Sequence, residues 1–178
     1  MIPSITYENI IRELRTQLAI QSGVPLDYIF NAVSVRGPDI YKLISNTQSA
    51  SFSLAESFII FELNEDDTED NVVLHELDNS LSSISSFNLN LKIYGNGCHA
   101  VSQNILMRFK GEEVAIDLRE KGIFINRITF PTNINEFINN TVWPRCDMAI
   151  IIKVRFNTPK ITTSGDAETI NEIIINHF

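Results

Sequence analysis

Cys98 and His99 sit side by side, and with the distant His75 they form the one metal-like grouping that can be assembled from the chain's histidines and cysteines. Catalytic zinc takes three protein ligands held by ordered partners, and no local motif here supplies such a set. Read instead as nucleophile and base, Cys98 and His99 fail on geometry, because adjacent residues diverge around a helix. Asn64 to Asp70 offers a second chemistry, with five carboxylates (Glu65, Asp66, Asp67, Glu69, Asp70) in seven residues. Such a cluster suits Ca²⁺, yet the twelve-residue loop with its central glycine and terminal glutamate is missing. Glu62 invites comparison with nucleases that set Asp and Glu-x-Lys across a hairpin, but Lys92 is preceded two places earlier by Asn90, so the metal ligands are lacking. Gly95-Asn96-Gly97 could cradle an anion at a helix start, but it has neither a third glycine nor a P-loop lysine. These patterns predict no catalytic residue, no cofactor and no metal, and a protein that is not an enzyme.

The whole chain points the same way. Its 178 residues suffice for one domain with a real core, and 44% hydrophobic with 20% charged residues is an ordinary globular balance. A net charge of -8 argues against a broad nucleic-acid face, since phosphate neutralisation supplies most nonspecific affinity. Met1-Ile2-Pro3-Ser4-Ile5 lacks the basic region and apolar core of a signal peptide, and no apolar run spans a bilayer, so the expectation is a cytosolic protein without membrane contact. Cys98 and Cys146 are expected as buried thiols; their spacing does not argue for a disulfide, and a reducing cytosol opposes one.

Periodicity places the elements. Tyr7, Ile10, Ile11, Leu14 and Leu18 predict a helix from about Thr6 to Gln21, with Thr6 as N-cap and Gly23 and Pro25 as the stop. Ile29–Val35 and Ile40–Leu43 read as short strands around the Arg36-Gly37-Pro38-Asp39 turn, and a Ser-rich passage from Ser45 to Ser53 leads into a strand at Phe58–Leu63. The acidic run reads as a hairpin tip or excursion that keeps a sheet edge from pairing with other chains. Phe87–Tyr94 alternates as a strand, and Cys98, Val101, Ile105 and Phe109 share one helical face, with Ser102, Gln103, Asn104 and Arg108 pointing elsewhere. Gly95 and Gly97 are both expected to relieve a strained strand-to-helix turn.

Glu112–Lys121 reads as a short helix with Val114 and Leu118 inward, and Ile123–Phe130 as a strand stopped by Pro131. Thr132–Pro144 is expected as a long Asn-rich connection carrying Phe137, Ile138, Val142 and Trp143, while Met148–Phe156 alternates as a central strand. Beyond Pro159 and the 162–165 linker, Ala167–Phe178 suits a helix by its Ile170-Ile173-Ile174 spacing and a strand by its β-branched content, which points to addition to a sheet of its own or a neighbouring subunit. The result is an α+β domain spanning 1–178: a mostly antiparallel twisted sheet with two or three helices on one face, and 159–178 as a C-terminal extension.

Two stretches within Phe58–Phe156 then carry a family resemblance. The order of helix, strands, acidic hairpin, a strand ending Leu91-Lys92-Ile93-Tyr94-Gly95-Asn96, helix and Gly122-Ile123-Phe124-Ile125 resembles the neck proteins of tailed bacteriophages, namely the tail terminator and tail-completion proteins. The run Asn139–Phe156, passing through Trp143-Pro144-Arg145-Cys146-Asp147 into a long strand, is similar to the same family. The resemblance implies a virion subunit that assembles in the host bacterial cytoplasm as a homo-oligomeric ring, commonly hexameric, capping the tail tube and joining it to the head connector. DNA would pass through without specific binding, in keeping with the acidic charge. A heterologous contact repeated around a closed rotation builds such a ring. Candidate contact residues are Phe137, Ile138, Trp143, Arg145, Ile170 and Ile173; Trp143 is equally open to plain core packing, and the five carboxylates either line a lumen or face solvent. The competing reading is a standalone binding module or a small enzyme.

Overall fold

The computed structural model describes residues 5–32, 57–66, 72–75, 81–138 and 141–158. The Arg36–Asp39 turn, Ile40–Leu43, the Ser45–Ser53 passage, Asp67, Glu69, Asp70 and everything from Pro159 onward, Ile170 and Ile173 included, lie outside the described residues.

Helix α1 (Tyr7–Ser22) begins where the Thr6 side chain accepts the Asn9 N–H at 3.2 Å and ends at Gly23, whose φ of +74° lets its N–H close on the Ala19 carbonyl. Its buried residues Ile10, Leu14 and Leu18 follow the predicted stripe, while Tyr7 is 41% exposed and donates its hydroxyl to the Leu63 carbonyl. A short 3₁₀ turn, Leu26–Tyr28, leads to strand β1 (Ile29–Asn31). Then come β2 (Phe58–Glu65), β3 (Val72–His75), β4 (Leu81–Tyr94), α2 (Cys98–Phe109), α3 (Glu112–Glu120), β5 (Ile123–Ile128), β6 (Thr132–Ile138) and β7 (Thr141–Thr158).

These strands form one seven-stranded sheet with the order β1-β2-β4-β7-β5, to which β3 adds beside β4 and β6 beside β7. Among the described pairs only β1 with β2 is parallel, so the α+β reading holds. The spine is β4 against β7, paired continuously from Leu81↔Thr158 to Tyr94↔Arg145. Along the outer side of β4 run first β2 and then β3, both in the same direction. Asp66 N–H still bonds the Ser86 carbonyl and Val72 faces Ile84, so β2 and β3 meet β4 one after the other, on either side of the acidic run. Strands β5 and β6 follow the outer side of β7 in the same fashion, separated at Pro131, which has no N–H for the ladder. Thr129 bridges that gap: its backbone N–H donates to the Ala149 carbonyl, and its hydroxyl accepts from the Ala149 N–H at 2.7 Å.

Two expectations are corrected here. Thr132–Pro144 is no loop; it is β6 paired from Thr132↔Asp147 to Ile138↔Thr141 with the start of β7. And β4 begins at Leu81, because its serines, weak strand formers, gain ladder partners on both sides from β3 and β7.

The core lies on the helix side of the sheet. Ile59, Phe61 and Leu63 from β2, Phe87, Leu89, Leu91 and Ile93 from β4, and Cys146, Met148, Ile150, Ile152 and Val154 from β7 meet the helices there. Each fully buried aliphatic side chain of this kind contributes about 1.5–3 kcal/mol. Helix α2 turns Cys98, Ser102, Ile105, Leu106 and Phe109 inward, with Val101 half-buried against the same core, so its inward face holds the predicted residues and is widened by Leu106 and by fully buried Ser102, which is satisfied by donating to the His99 carbonyl. Helix α3 buries Val114 and Leu118, and Lys121 at its end pairs with Glu13 of α1.

Candidate functional site

At the strand-to-helix turn, Gly95 has a φ of +103°, where a side chain is strained, so glycine is needed for its backbone. Gly97 is different: its φ of -87° is ordinary, and its constraint is space, since a Cβ there would lie 2.8 Å from Ser57 Oγ. The buried Cys98 opens α2 while His99 is exposed, and among the described residues no three His, Cys, Asp or Glu side chains are grouped to hold a metal. Across the ladder from Glu62 stands Asn90, and across from Lys92 stands Asp147. With Thr129, Phe130 and Thr132 these residues line an open trough of about 470 Å³ on the side of the sheet away from the main core. A carboxylate facing an amide and a lysine facing an aspartate make cross-strand pairs, with no nucleophile and base brought together.

The most distinctive geometry lies at the other end of the spine. β4 stops at Tyr94, opposite Arg145, and Gly95 N–H bonds the Pro144 carbonyl. β6 and β7 continue past that point through Glu136↔Trp143, Phe137↔Val142 and Ile138↔Thr141, forming a two-stranded arm beyond the end of β4. Ile138 and Thr141 are the last paired residues of the arm. Alternation puts Phe137 and Val142 on one side of the arm, 69% and 52% exposed, and Glu136 with Trp143 on the other.

The arm is anchored through that second side. Trp143 is 1% exposed and meets Phe58 edge-on at 6.2 Å, while Phe58 stacks on Tyr94 with centroids 4.9 Å apart. Ile60 completes this satellite cluster, with Tyr28, Phe30 and Ala32 packed against it. Beside it, Arg145 grips Asp147 through Nη2 to Oδ2 at 2.9 Å and Nε to Oδ1 at 2.8 Å, and reaches Glu136 Oε2 at 2.5 Å. Tyr94 donates its hydroxyl to the same Glu136 oxygen at 2.8 Å. Burial raises the Tyr94 hydroxyl well above its usual range, the Glu136 hydrogen bond and charge add to that, and Arg145 offsets only part of it. For Arg145, burial acts to lower the pKa, but the bonds to Glu136 and Asp147 outweigh it and hold the guanidinium charged.

The sequence candidates therefore fall in different places. Phe137 is on the open side of the arm, Ile138 pairs at its tip, Trp143 is inside the satellite cluster, and Arg145 sits at the root within an ion network. Glu65 is exposed and Asp66 half-buried at the end of β2. Glu136, which no sequence motif marks, joins Tyr94 in organising the arm, and Val142 shares the open side with Phe137; the period-two placing of Ile134, Glu136 and Ile138 is the local signal for the strand that carries Glu136.

Compared with known proteins, residues 10–178 match a family model described as phage neck terminator protein. Among curated proteins nothing matches the chain.

Proposed function

The chain belongs to the phage neck terminator family, and on that basis we propose that it is a ring-forming subunit that caps the tail tube and joins it to the head connector. Family membership makes it a structural component of the virion neck. The single observation that carries the finer reading is the arm: two paired strands, anchored through Trp143 and Arg145, that hold the apolar pair Phe137 and Val142 beyond the end of β4. A subunit that projects one such element onto the next copy makes a heterologous contact, and repetition around an axis closes it into a ring. In this reading the open side of the arm meets the neighbouring copy, Trp143 and Arg145 act from within by holding the arm's angle, and Ile138, Ile170 and Ile173 supplement the contact. The net charge of -8 suits a passage through which DNA slides without being held, with Glu65, Asp66, Asp67, Glu69 and Asp70 facing solvent or the lumen.

The test is mass in solution and on the tail. Light scattering of the purified chain, alone and mixed with preformed tail tubes, should give a closed assembly of several copies in at least one condition, visible as a ring at the tube end by negative stain. A strict monomer that leaves tube ends bare in both conditions overturns the reading.

A further inference from the structure

Two buried thiols remain outside that role. Cys98, at the first position of α2, and Cys146, in β7, bring their sulfurs to 3.3 Å from each other, although 47 residues separate them in sequence. Both are free, 5% and 0% exposed. Cys146 also lies 2.9 Å from Asn133 Oδ1, its ladder partner on β6, at the point where the arm leaves the sheet.

We propose that Cys98 and Cys146 form an intrachain disulfide on oxidation, a covalent modification site that fastens the start of α2 to the root of the β6–β7 arm. The proposal does not depend on ring formation. Sulfurs already in contact need only a small approach to reach a bond of about 2.05 Å. A reducing compartment keeps the pair as thiols, and a thiol oxidant closes it. With a diazene oxidant, one thiolate adds to the N=N bond; the second thiolate then attacks that sulfur, displacing a hydrazine. One S–S bond forms, the two thiols give up two hydrogens and two electrons, and the diazene nitrogens take both. Burial, with the neighbouring Cys146 adding to it, pushes the Cys98 thiol up to about 12, so few thiolates are present near neutral pH and closure accelerates as pH rises. The bond also removes the Cys146 S–H that faces Asn133, which leaves the arm's root held by the covalent link in place of that weak donor.

The experiment treats the full chain with diamide at mildly alkaline pH, followed by denaturation, alkylation and intact mass without reductant. The expected result is a monomer lighter by about two mass units, with no alkylatable thiol and a single peptide joining Cys98 to Cys146; dithiothreitol restores both thiols. Cys98→Ser and Cys146→Ser should each keep one alkylatable thiol and form no intrachain link. Since a variant that fails to fold is uninformative, the wild-type peptide map decides. Two unreacted thiols in the folded chain, or links only between chains, overturn the proposal.

Discussion

Glu136 and Arg145, on neighbouring strands β6 and β7, meet through Oε2 and Nη1 at 2.5 Å where the arm leaves the sheet. Their side chains are 24% and 15% exposed, so solvent screens the pair only in part. Tyr94 shares the Glu136 oxygen and Asp147 takes the rest of the guanidinium, so one cation satisfies two carboxylates.

Removing that cation should therefore cost more than removing an exposed one. Arg145→Ala takes the guanidinium away from both Glu136 and Asp147, leaving Lys92 across the ladder from Asp147, and should destabilise by about 2–4 kcal/mol, read as a lower denaturant midpoint with unchanged slope. Arg145→Lys should recover only part, because an ammonium cannot reproduce the two-point grip on Asp147.

Changes on the open side of the arm should separate folding from assembly. Phe137→Asp at a position 69% exposed should shift monomer stability by no more than about 0.5 kcal/mol. The same change should abolish self-association and capping of tail tubes in light scattering and negative stain. Trp143→Ala, by contrast, should lower stability itself by about 3–5 kcal/mol, since it empties the satellite cluster.

Gly95 and Gly97 should respond differently to alanine. Gly95→Ala forces a side chain onto a backbone at φ +103° and should cost about 1–3 kcal/mol. At Gly97 the obstacle is Ser57 Oγ, so Gly97→Ala should be rescued at least in part by Ser57→Gly; a thermal-melt double-mutant cycle checks the coupling.

Alkaline pH should weaken the fold. Unfolded Cys98 and Tyr94 ionise near 9.0 and 10.0, whereas folding raises both, Cys98 to about 12. Below pH 9 both groups are protonated in either state and their contribution is complete. Above it the unfolded chain releases protons that the folded chain retains, so stability falls as pH climbs from about 9 toward 12. Chemical denaturation at pH 8, 9.5 and 10.5 should show that decline, and Cys98→Ser with Tyr94→Phe should flatten it.

Much of this architecture is legible in one dimension. The stripe of Ile10, Leu14 and Leu18, the cap pair Thr6 and Gly23, and the alternation of Met148, Ile150, Ile152 and Val154 each specify an element from neighbours a few residues away. Where the local pattern is weak, the strands are set by their neighbours in the sheet. The serines of Leu81–Ser86 and the asparagines of β6 have little strand preference of their own and are held by the ladders beside them.

By itself, then, the sequence determined the α+β class, the helices, the strands that form the sheet's spine and the resemblance to neck proteins, because periodicity and capping act through local, repeated interactions. Only the tertiary structure decided that Trp143 turns inward while Phe137 stays out, that Arg145 is spent on Glu136 and Asp147, and that Cys98 reaches Cys146. Those outcomes depend on the register between strands distant in the chain, and a slip of one residue in that register would send each side chain to the opposite side of the sheet.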